Sequence, residues 1–295
     1  MNILFSIIIP TYNRAKFLET TLRSLLMQGY QNFEIIVVDD GGHDGSDKVV
    51  ESLNDHRIKY FWKENGERGA ARNYGASIAK GQYLNFFDSD DIAYPNHLQT
   101  AFNTIFNLNS PEVFHLGYDV KTDDDRLIFK VDDFNGDIIS YGIKRKKISI
   151  NSLFVRKDVT QLVPFYEDRD LSASEDAVYI CQLAAQFVIH YNNTITTTII
   201  EHDSRSMLLA SETQLLQRKS SMLKILKRDK LFMEKYGPYL KDIKREFDYM
   251  LSLGCLSKKD YKSARRYYWD YMSSNFFGLW DKRTFVFIKQ YLKAF

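Results

Sequence analysis

Two aspartates separated by one serine, Asp88-Ser89-Asp90, directly follow the apolar residue Phe87. A charged carboxylate beside an apolar core is unfavourable unless an opposite charge is close. A divalent cation can provide that charge. In an extended turn, Asp88 and Asp90 can face the same side and share Mg²⁺ or Mn²⁺ through oxygen ligands. Such an ion usually completes its shell with phosphate oxygens, which indicates a ligand that carries a diphosphate. Asp91 is expected to cap the following segment.

Three further polar clusters follow predicted strands. They are Pro10-Thr11-Tyr12-Asn13-Arg14, Asp39–Ser46 and Asn65–Arg72. Ligands of open α/β sheets bind beyond the carboxyl ends of the strands. We therefore expect these clusters and Asp88–Asp91 to meet at one edge of one sheet. Each cluster taken alone is also typical of an ordinary turn or helix cap.

The first half of the chain alternates short apolar runs with amphipathic segments, a pattern that predicts β-α units around a mostly parallel sheet. The predicted strands are Ser6–Ile9, Phe33–Val38, Ile58–Phe61, Gln82–Phe86 and Val113–Leu116. The predicted helices are Arg14–Gln28, Ser46–Leu53, Arg68–Ala79 and Pro95–Phe106, with Pro95 at a first helical position. Asp123-Asp124-Asp125 is expected to form a hairpin turn, and Lys144–Lys147 a solvated loop.

Length and composition favour one folded catalytic domain with a smaller extension. The chain has 295 residues, of which 44% are hydrophobic and 26% charged. Its two cysteines, Cys181 and Cys255, lie in segments that are predicted to be helical, so we expect neither a disulfide framework nor a multi-cysteine metal site. No segment approaches the roughly 20 apolar residues of a membrane-spanning helix. A cytoplasmic protein is expected, with any membrane contact made peripherally at the inner face.

The net charge of the chain changes sign after Ala210. Residues 211–295 contain 19 Lys/Arg and 9 Asp/Glu, a net charge of +10, so residues 1–210 carry −8 of the total of +2. Helices are predicted in this basic region at Leu215–Lys230, Lys241–Leu253 and Lys258–Ser273, before an exposed aromatic run at Asn275–Trp280. Basic residues interleaved with aromatic ones can lie on an anionic membrane. A helical bundle that packs or dimerises is the alternative, and no signature of nucleic-acid binding is present.

Four motifs taken together resemble the inverting glycosyltransferases of family 2. They are Ser6-Ile7-Ile8-Ile9-Pro10-Thr11-Tyr12-Asn13, Glu34-Ile35-Ile36-Val37-Val38-Asp39-Asp40-Gly41, Arg68-Gly69-Ala70-Ala71-Arg72-Asn73-Tyr74-Gly75 and Phe86-Phe87-Asp88-Ser89-Asp90-Asp91. The resemblance covers roughly residues 4–206. It implies a Rossmann-like A-type glycosyltransferase fold in a nucleotide-sugar-binding catalytic domain, residues 1–210, with residues 211–295 as a helical extension for membrane, acceptor or oligomer contacts.

The resemblance also implies a donor site. Its residues would be Pro10, Tyr12, Arg14, Asp39, Asp40, Arg68, Arg72, Asp88, Ser89, Asp90, His202 and Arg205. Pro10, Tyr12 and Asp39 would line the base pocket, where a uracil N–H would donate to Asp39. A solvated helix face is the alternative for Arg68 and Arg72. The loop Gly41–Ser46 is one small residue longer than the family pattern, which argues against a direct donor contact by His43.

The second half of the chain contributes Ser172-Ala173-Ser174-Glu175-Asp176 before a helical pattern at Ala177–Phe187. An N-cap explains Ser174, but it does not explain two adjacent carboxylates. By resemblance, Asp176 is the catalytic base and Glu175 orients the site. An inverting transfer needs one carboxylate to take the proton of the acceptor hydroxyl, and it forms no covalent enzyme intermediate.

Glu201–Ser206 follows an apolar run that ends at Ile200. The family has a His-x-x-Ser-type segment here that closes over the diphosphate or metal, so His202 joins Asp88 and Asp90 as an expected metal ligand, and Arg205 is an expected donor contact. A structural histidine at a strand end is the alternative for His202.

The expected reaction moves a sugar from a nucleotide-sugar, with a UDP-sugar as the expected donor, to a hydroxyl of a glycan or lipid-linked acceptor in bacterial surface polysaccharide synthesis. A nucleotidyltransferase is one alternative, but its basic, Gly-rich signature loop is absent from the sequence. A catalytically silent nucleotide-binding scaffold is another, and the intact Asp88, Asp90 and Asp176 argue against it.

Overall fold

The computed structural model describes residues 2–131, 148–202, 210–273 and 282–292. The chain divides into two compact units, Met1–His202 and Asp203–Phe295. None of the helices in these described ranges combines the length and apolar character that crossing a membrane requires. Arg205, Lys144–Lys147 and Asn275–Trp280 lie outside the described residues. The function predicted for each part of the chain stays a prediction.

The first unit is an α/β structure. Its strands are β1 (Phe5–Thr11), β2 (Phe33–Asp40), β3 (Ile58–Lys63), β4 (Tyr83–Phe86), β5 (Ile92–Ala93), β6 (Val113–Thr122), β7 (Leu127–Lys130), β8 (Leu153–Arg156) and β9 (Ile189–Glu201). Its helices are α1 (Ala15–Leu26), α2 (Ser46–Leu53), α3 (Glu67–Ile78), α4 (His97–Asn107), α5 (Lys157–Leu162) and α6 (Glu175–Gln186).

All of these strands join one sheet in the order β3-β2-β1-β4-β8-β6-β9-β5, with β7 paired to β6. The first four strands of this order pair in parallel, and so do β6 and β9. Strand β8 runs antiparallel to both β4 and β6, and the short strands β5 and β7 pair antiparallel with β9 and β6. The parallel half places the ends of β1, β2 and β4 at a common edge.

Helices cover both faces of the parallel half, which explains why β1 and β2 are buried along their whole length. On one face, Ile7 and Val37 belong to a core cluster that includes Leu18 and Leu22 of α1 and Leu98 of α4. On the other face, α3 lies so close to β1 that a Cβ added to Gly75 would be only 2.4 Å from Ile8 Cγ2. A glycine at position 75 therefore fixes how near α3 comes to the sheet.

The five strands and four helices that were predicted in the first half are confirmed, with shifts of at most two residues at their ends. The exception is β6, which was predicted to end at Leu116 and continues to Thr122. The prediction for Pro95 is wrong, because α4 begins at His97 after an N-cap at Asn96. The Pro95 carbonyl instead accepts from the backbone N–H of Gly29 at 3.0 Å, which ties this turn to the loop after α1. The turn predicted at Asp123–Asp125 does connect the antiparallel strands β6 and β7.

The described part of the second unit is helical. It contains α7 (Glu212–Arg228), α8 (Lys230–Tyr236), α9 (Leu240–Ser257), α10 (Tyr261–Ser273) and α11 (Lys282–Leu292). Ser211 and Gln214 form a capping box at the start of α7. The rings of Tyr268 and Phe287 stack at 4.0 Å, so α11 packs on α10. Both cysteines are free and buried in helices, Cys181 in α6 and Cys255 in α9.

Candidate active site

The polar clusters that follow the strands do meet at one edge of the sheet. Arg14 Nη1 lies 2.5 Å from Asp90 Oδ2, which joins the loop after β1 to the acidic loop after β4. The backbone N–H of His43 donates to Asn13 Oδ1 at 3.1 Å, which joins the loops after β1 and β2. Arg72 in α3 completes the set, since its Nη2 donates to Asp88 Oδ1 at 2.9 Å. The convergence predicted from the strand ends is confirmed.

The acidic loop brings three carboxylates together. One oxygen from each of Asp88, Asp90 and Asp91 lies within 4.8 Å of the other two. Asp90 Oδ2 also lies 3.1 Å from His202 Nε2, and the side chains of Asp90 and Asp88 keep partial exposure. Such a set of oxygen donors, with an imidazole beside it, fits a hard divalent cation.

Asp91 does not cap a following helix, so that prediction is wrong. Its carboxylate is fully buried and accepts from the backbone N–H of Ile200 at 2.8 Å and from Asn151 Nδ2 at 2.6 Å. Its backbone carbonyl accepts from Thr21 Oγ1 at 2.8 Å. Strand β5, not a helix, begins at the next residue, so there is no helix N-terminus to cap. Asp91 instead ties the acidic loop to α1, to Asn151 and to β9.

Asn151 sets the conformation of the acidic loop from a distant part of the sequence. Its Oδ1 accepts from the backbone N–H of Asp88 at 2.8 Å while its Nδ2 donates to Asp91. Its own backbone carbonyl accepts from Asn85 Nδ2 at 2.8 Å. Asn151 was not predicted as a site residue, because no sequence motif surrounds it.

A buried histidine supports Asn85. His97 Nε2 lies 3.2 Å from Asn85 Oδ1, and His97 Nδ1 lies 3.0 Å from Thr196 Oγ1. Burial lowers the pKa of His97 to about 3, so the imidazole is neutral at physiological pH. His97 is therefore a structural hydrogen-bonding residue that links α4 to β4 and β9.

Arg72 connects the acidic loop to the start of α6. Its side chain is 1% exposed, and its Nη1 donates to Glu175 Oε1 at 2.6 Å while its Nη2 donates to Asp88. The guanidinium carbon also lies 5.2 Å from the centre of the Phe165 ring. The alternative of a solvated helix face is therefore wrong for Arg72. Both terminal nitrogens of Arg72 already bind protein carboxylates. A contact between Arg72 and the donor stays a prediction.

The other residues of the α3 motif hold the segment that leads to α6. A Cβ added to Gly69 would lie 2.1 Å from the carbonyl oxygen of Tyr166, so only glycine permits this approach. Asn73 donates to the carbonyl of Phe165 and accepts from its backbone N–H, both at 2.9 Å. Gly69 and Asn73 thus fix the position of the segment that precedes Glu175 relative to α3.

Glu175 and Asp176 occupy the first turn of α6. Ser174 takes the N-cap position, as predicted, although its side chain accepts no capping hydrogen bond. Glu175 is 3% exposed, and its Oε2 has no hydrogen-bond partner in the described part of the chain. Burial and the neighbouring charge of Glu175 raise the pKa of Asp176 to about 6, against the opposing effect of Arg72. Asp176 Oδ1 accepts from the backbone N–H of Ala177 at 2.7 Å.

Asp39 lies at the end of β2 and is 1% exposed. Its Oδ1 accepts from the backbone N–H of Gly42 at 2.7 Å, and its Oδ2 accepts from the hydroxyl of Tyr60 at 2.7 Å. Asp39 borders an open pocket of about 410 Å³. The rest of the pocket is lined by Gly42, His43, Gly45, Ser46, Asp47, Lys48, Tyr60 and Trp62.

Asp40 and the other expected donor residues differ in exposure and in what they contact. Asp40 Oδ1 accepts from Lys63 Nζ at 2.7 Å and from the backbone N–H of Gly66 at 2.9 Å, so Asp40 holds the loop between β3 and α3. Tyr12 is half exposed, whereas Pro10, within β1, and Ser89 are buried. Arg68, in the first turn of α3, is partly buried. Their contacts with a donor stay predictions.

His202 reaches the acidic loop from the end of β9. Its ring stacks on Phe17 of α1 with ring centres 4.5 Å apart, and its side chain is 8% exposed. This stacking fixes Nε2 beside Asp90. Phe17 was missed by the sequence analysis, because an aromatic residue in an amphipathic helix is usually a core residue.

The fold is that of an A-type glycosyltransferase. Residues 6–166, more than half of the chain, match Glycosyl transferase family 2. The glycosyltransferase GlyG of Streptococcus pneumoniae is 35% identical over 134 residues, which are 44% of this chain and 44% of GlyG. An uncharacterized glycosyltransferase of Rickettsia typhi is 42% identical over 118 residues, which are 40% of this chain and 37% of that protein. The aligned segments thus span about two-fifths of these relatives.

Solved structures agree on the fold. TarS 1-349 of S. aureus in complex with UDP-GlcNAc superposes with a TM-score of 0.59 at 18% identity, covering 91% of each chain. The mannosyltransferase PcManGT of Pyrobaculum calidifontis in complex with GDP-Man and Mn²⁺ gives a TM-score of 0.61 at 15% identity, covering 98% of this chain and 85% of that chain. The predicted A-type fold with C-terminal helices is confirmed. This chain belongs to glycosyl transferase family 2.

Replacing Arg72 should destabilise the protein strongly. In Arg72→Met, Glu175 and Asp88 lose their shared cation, and Glu175 remains buried without one. Breaking a buried ion pair in this way costs about 3–5 kcal/mol. The control is Arg23→Met, since Arg23 forms an exposed pair with Glu19 whose loss costs about 1 kcal/mol or less. Urea unfolding of the full chain measures both variants, and an equal, small loss in the two would contradict the bridging role of Arg72.

Proposed function

We propose that this chain transfers a sugar from a UDP-sugar to a hydroxyl of a glycan or lipid-linked saccharide, with inversion at the anomeric carbon. One observation carries the proposal: Arg72 binds Asp88 of the acidic loop and Glu175 beside Asp176 at the same time. A group that can hold a diphosphate and a group that can accept a proton therefore belong to one ion network. A transferase with direct displacement needs both of these groups at one site.

The donor base sits against Asp39 in this proposal. An ionised carboxylate only accepts hydrogen bonds, and uracil presents an N–H between two carbonyl groups. The pocket beside Asp39 has aromatic side chains, Tyr60 and Trp62, that suit a flat ring. The TarS structures with UDP-GlcNAc and with UDP support a uridine donor, whereas GDP-Man in PcManGT keeps a guanosine donor as the alternative.

Asp88, Asp90 and His202 would hold Mn²⁺ or Mg²⁺. When bound, the ion neutralises the charge of the departing diphosphate as a Lewis acid. The structure of PcManGT in complex with GDP-Man and Mn²⁺ supports a divalent cation in this chain. Arg14 beside Asp90 adds a positive charge that can attract the phosphates.

Asp176 acts as the catalytic base. It takes the proton from the acceptor hydroxyl while that oxygen attacks the anomeric carbon on the face opposite the nucleotide. The bond between the anomeric carbon and the diphosphate oxygen breaks, and its electron pair leaves with the nucleotide. Glu175 is held by Arg72, and its negative charge helps to raise the pKa of Asp176. A higher pKa makes Asp176 a stronger base than an ordinary aspartate.

Activity should therefore rise with pH as Asp176 ionises. Since its pKa in the folded protein is about 6, kcat/KM at saturating metal should increase through pH 6 and level off above pH 7. The same shift lowers stability as pH rises from about 4 to 6, because the folded state holds the proton more tightly than the unfolded state. Burial is the largest cause of this shift, and the charges that face Asp176 are those of Glu175, Arg72 and Asp88.

Asp176→Asn should abolish transfer and keep nucleotide binding. Loss of a general base costs roughly 10²–10⁴-fold in rate. Removing a carboxylate that repels Glu175 should leave stability at pH 7 equal to or above that of the natural chain. Turnover of a UDP-sugar, calorimetry with UDP and thermal unfolding measure the three properties. Natural turnover in the variant would exclude Asp176 as the base.

Asp90→Ala should weaken metal-dependent donor binding. Asp90 combines a position near Asp88 with partial exposure, so its loss should reduce UDP affinity in the presence of Mn²⁺ by at least about tenfold. The matched control is Asp123→Ala, which removes an exposed aspartate from the hairpin turn between β6 and β7. Calorimetry with and without Mn²⁺ distinguishes them, and equal Mn²⁺ dependence in both variants would argue against a metal ligand at Asp90.

The C-terminal unit would bring the enzyme to a lipid-linked acceptor. On α11, Phe285, Ile288 and Leu292 are exposed at a spacing of three and four residues, which places them on one side of the helix. Trp269 of α10 is 71% exposed. With the net charge of +10 over residues 211–295, this face suits an anionic membrane surface. We propose that the enzyme works at the cytoplasmic face of the membrane, in the synthesis of a bacterial surface polysaccharide.

The full chain should float with vesicles that contain phosphatidylserine at low salt and be released at high salt. Phe285→Ser combined with Ile288→Ser should reduce flotation, whereas Leu162→Ser should not, although Leu162 of α5 is 70% exposed. Flotation with neutral vesicles alone, or none at all, would remove the membrane proposal. A concentration-dependent dimer that the double variant abolishes would assign this face to a second copy of the chain.

A further inference from the structure

We infer that Tyr60 is a positioning residue that sets the base selectivity of the donor pocket, by holding the Asp39 carboxylate as a fixed acceptor. Nothing in the sequence motifs pointed to Tyr60, which lies in the edge strand β3. The inference rests on the proposed function, in which Asp39 receives a hydrogen bond from the donor base.

The Asp39 carboxylate is held from two sides. The backbone N–H of Gly42 donates to Oδ1 and the hydroxyl of Tyr60 donates to Oδ2, each at 2.7 Å. Only glycine fits at position 42, because a Cβ there would lie 2.7 Å from Asp39 Oδ1. Two donors on different oxygens prevent rotation of the carboxylate plane. About two of its four lone-pair sites remain for a ligand.

Tyr60 can act only as a donor to Asp39 in this arrangement. Partial burial and the negative charge of Asp39 raise the pKa of the Tyr60 hydroxyl, so the phenol keeps its proton at physiological pH. Both Asp39 oxygens thus accept a hydrogen bond, Oδ1 from the Gly42 backbone N–H and Oδ2 from the Tyr60 hydroxyl. Asp39 therefore presents acceptors, and no donor, to the pocket.

An acceptor-only edge distinguishes between pyrimidines. Uracil offers an N–H at its third ring position and can donate to Asp39, whereas cytosine has a lone pair at that position. Cytosine could donate to Asp39 only through its exocyclic amino group, which would require the carboxylate to turn away from the Tyr60 hydroxyl. A site built around a buried polar group rejects the ligand that leaves this group unpaired. Tyr60 therefore favours UDP over CDP, although it belongs to a different strand from Asp39.

The test is the ratio of the dissociation constants of CDP and UDP, measured by calorimetry on the full chain with Mn²⁺. Tyr60→Phe should lower this ratio by about tenfold, because the Asp39 carboxylate loses one of its two donors and can rotate toward the amino group of cytosine. Tyr30→Phe is the matched control. The Tyr30 hydroxyl also makes hydrogen bonds, to the backbone of Ile3, but the Tyr30 ring packs against the core cluster that contains Ile7 and Val37. Its variant should keep the natural ratio.

A double-mutant cycle separates positioning from a direct contact. If Tyr60 acts through Asp39, then adding Tyr60→Phe to Asp39→Asn should change the ratio little. An unchanged ratio in Tyr60→Phe, with strong discrimination in the natural chain, would overturn this inference and leave the proposed function intact. A natural chain that binds UDP and CDP equally would instead overturn the base site at Asp39, and the role of Tyr60 with it.

Discussion

A buried guanidinium between two carboxylates is the interaction on which the site depends. Arg72 is 1% exposed and binds Asp88 and Glu175. A charge so far from water persists only when opposite charges are close, and three carboxylates, Asp88, Glu175 and Asp176, interact with this one cation. The excess of negative charge has a chemical consequence. Together with burial, it raises the pKa of Asp176 to about 6, in the range that suits a base near neutral pH.

Close packing of α3 makes this interaction possible. Gly75 lets the helix approach β1, and Gly69 lets the segment around Tyr166 approach the helix. Asn73 then fixes that segment through both backbone groups of Phe165. Because these contacts define where α6 begins, small residues and one amide determine where Glu175 and Asp176 lie relative to the acidic loop. The rigidity of a site on such elements favours a fixed reacting geometry.

The acidic loop and the base pocket are supported by polar groups that are neutral or fully paired. Asn151 and Asp91 fix the acidic loop, and the neutral His97 supports Asn85 behind it. Buried polar groups stabilise a unique conformation only when their hydrogen bonds are satisfied. In the base pocket, the Tyr60 hydroxyl holds the Asp39 carboxylate through a hydrogen bond to Oδ2. The residues that we propose to contact substrate therefore keep their remaining hydrogen-bonding capacity for it.

The sequence by itself determined the β-α alternation, the five strands of the first half and the meeting of the strand ends, because periodicity is local and parallel neighbours end at the same edge. Only the tertiary structure decided the antiparallel strand β8, the burial of Arg72 and the partners of Asp91. Asn151 contacts Asp88 across 63 residues and Tyr60 contacts Asp39 from another strand, with no local pattern to mark either residue. Such hydrogen bonds depend on the packing of distant segments, and spacing within one segment does not encode them.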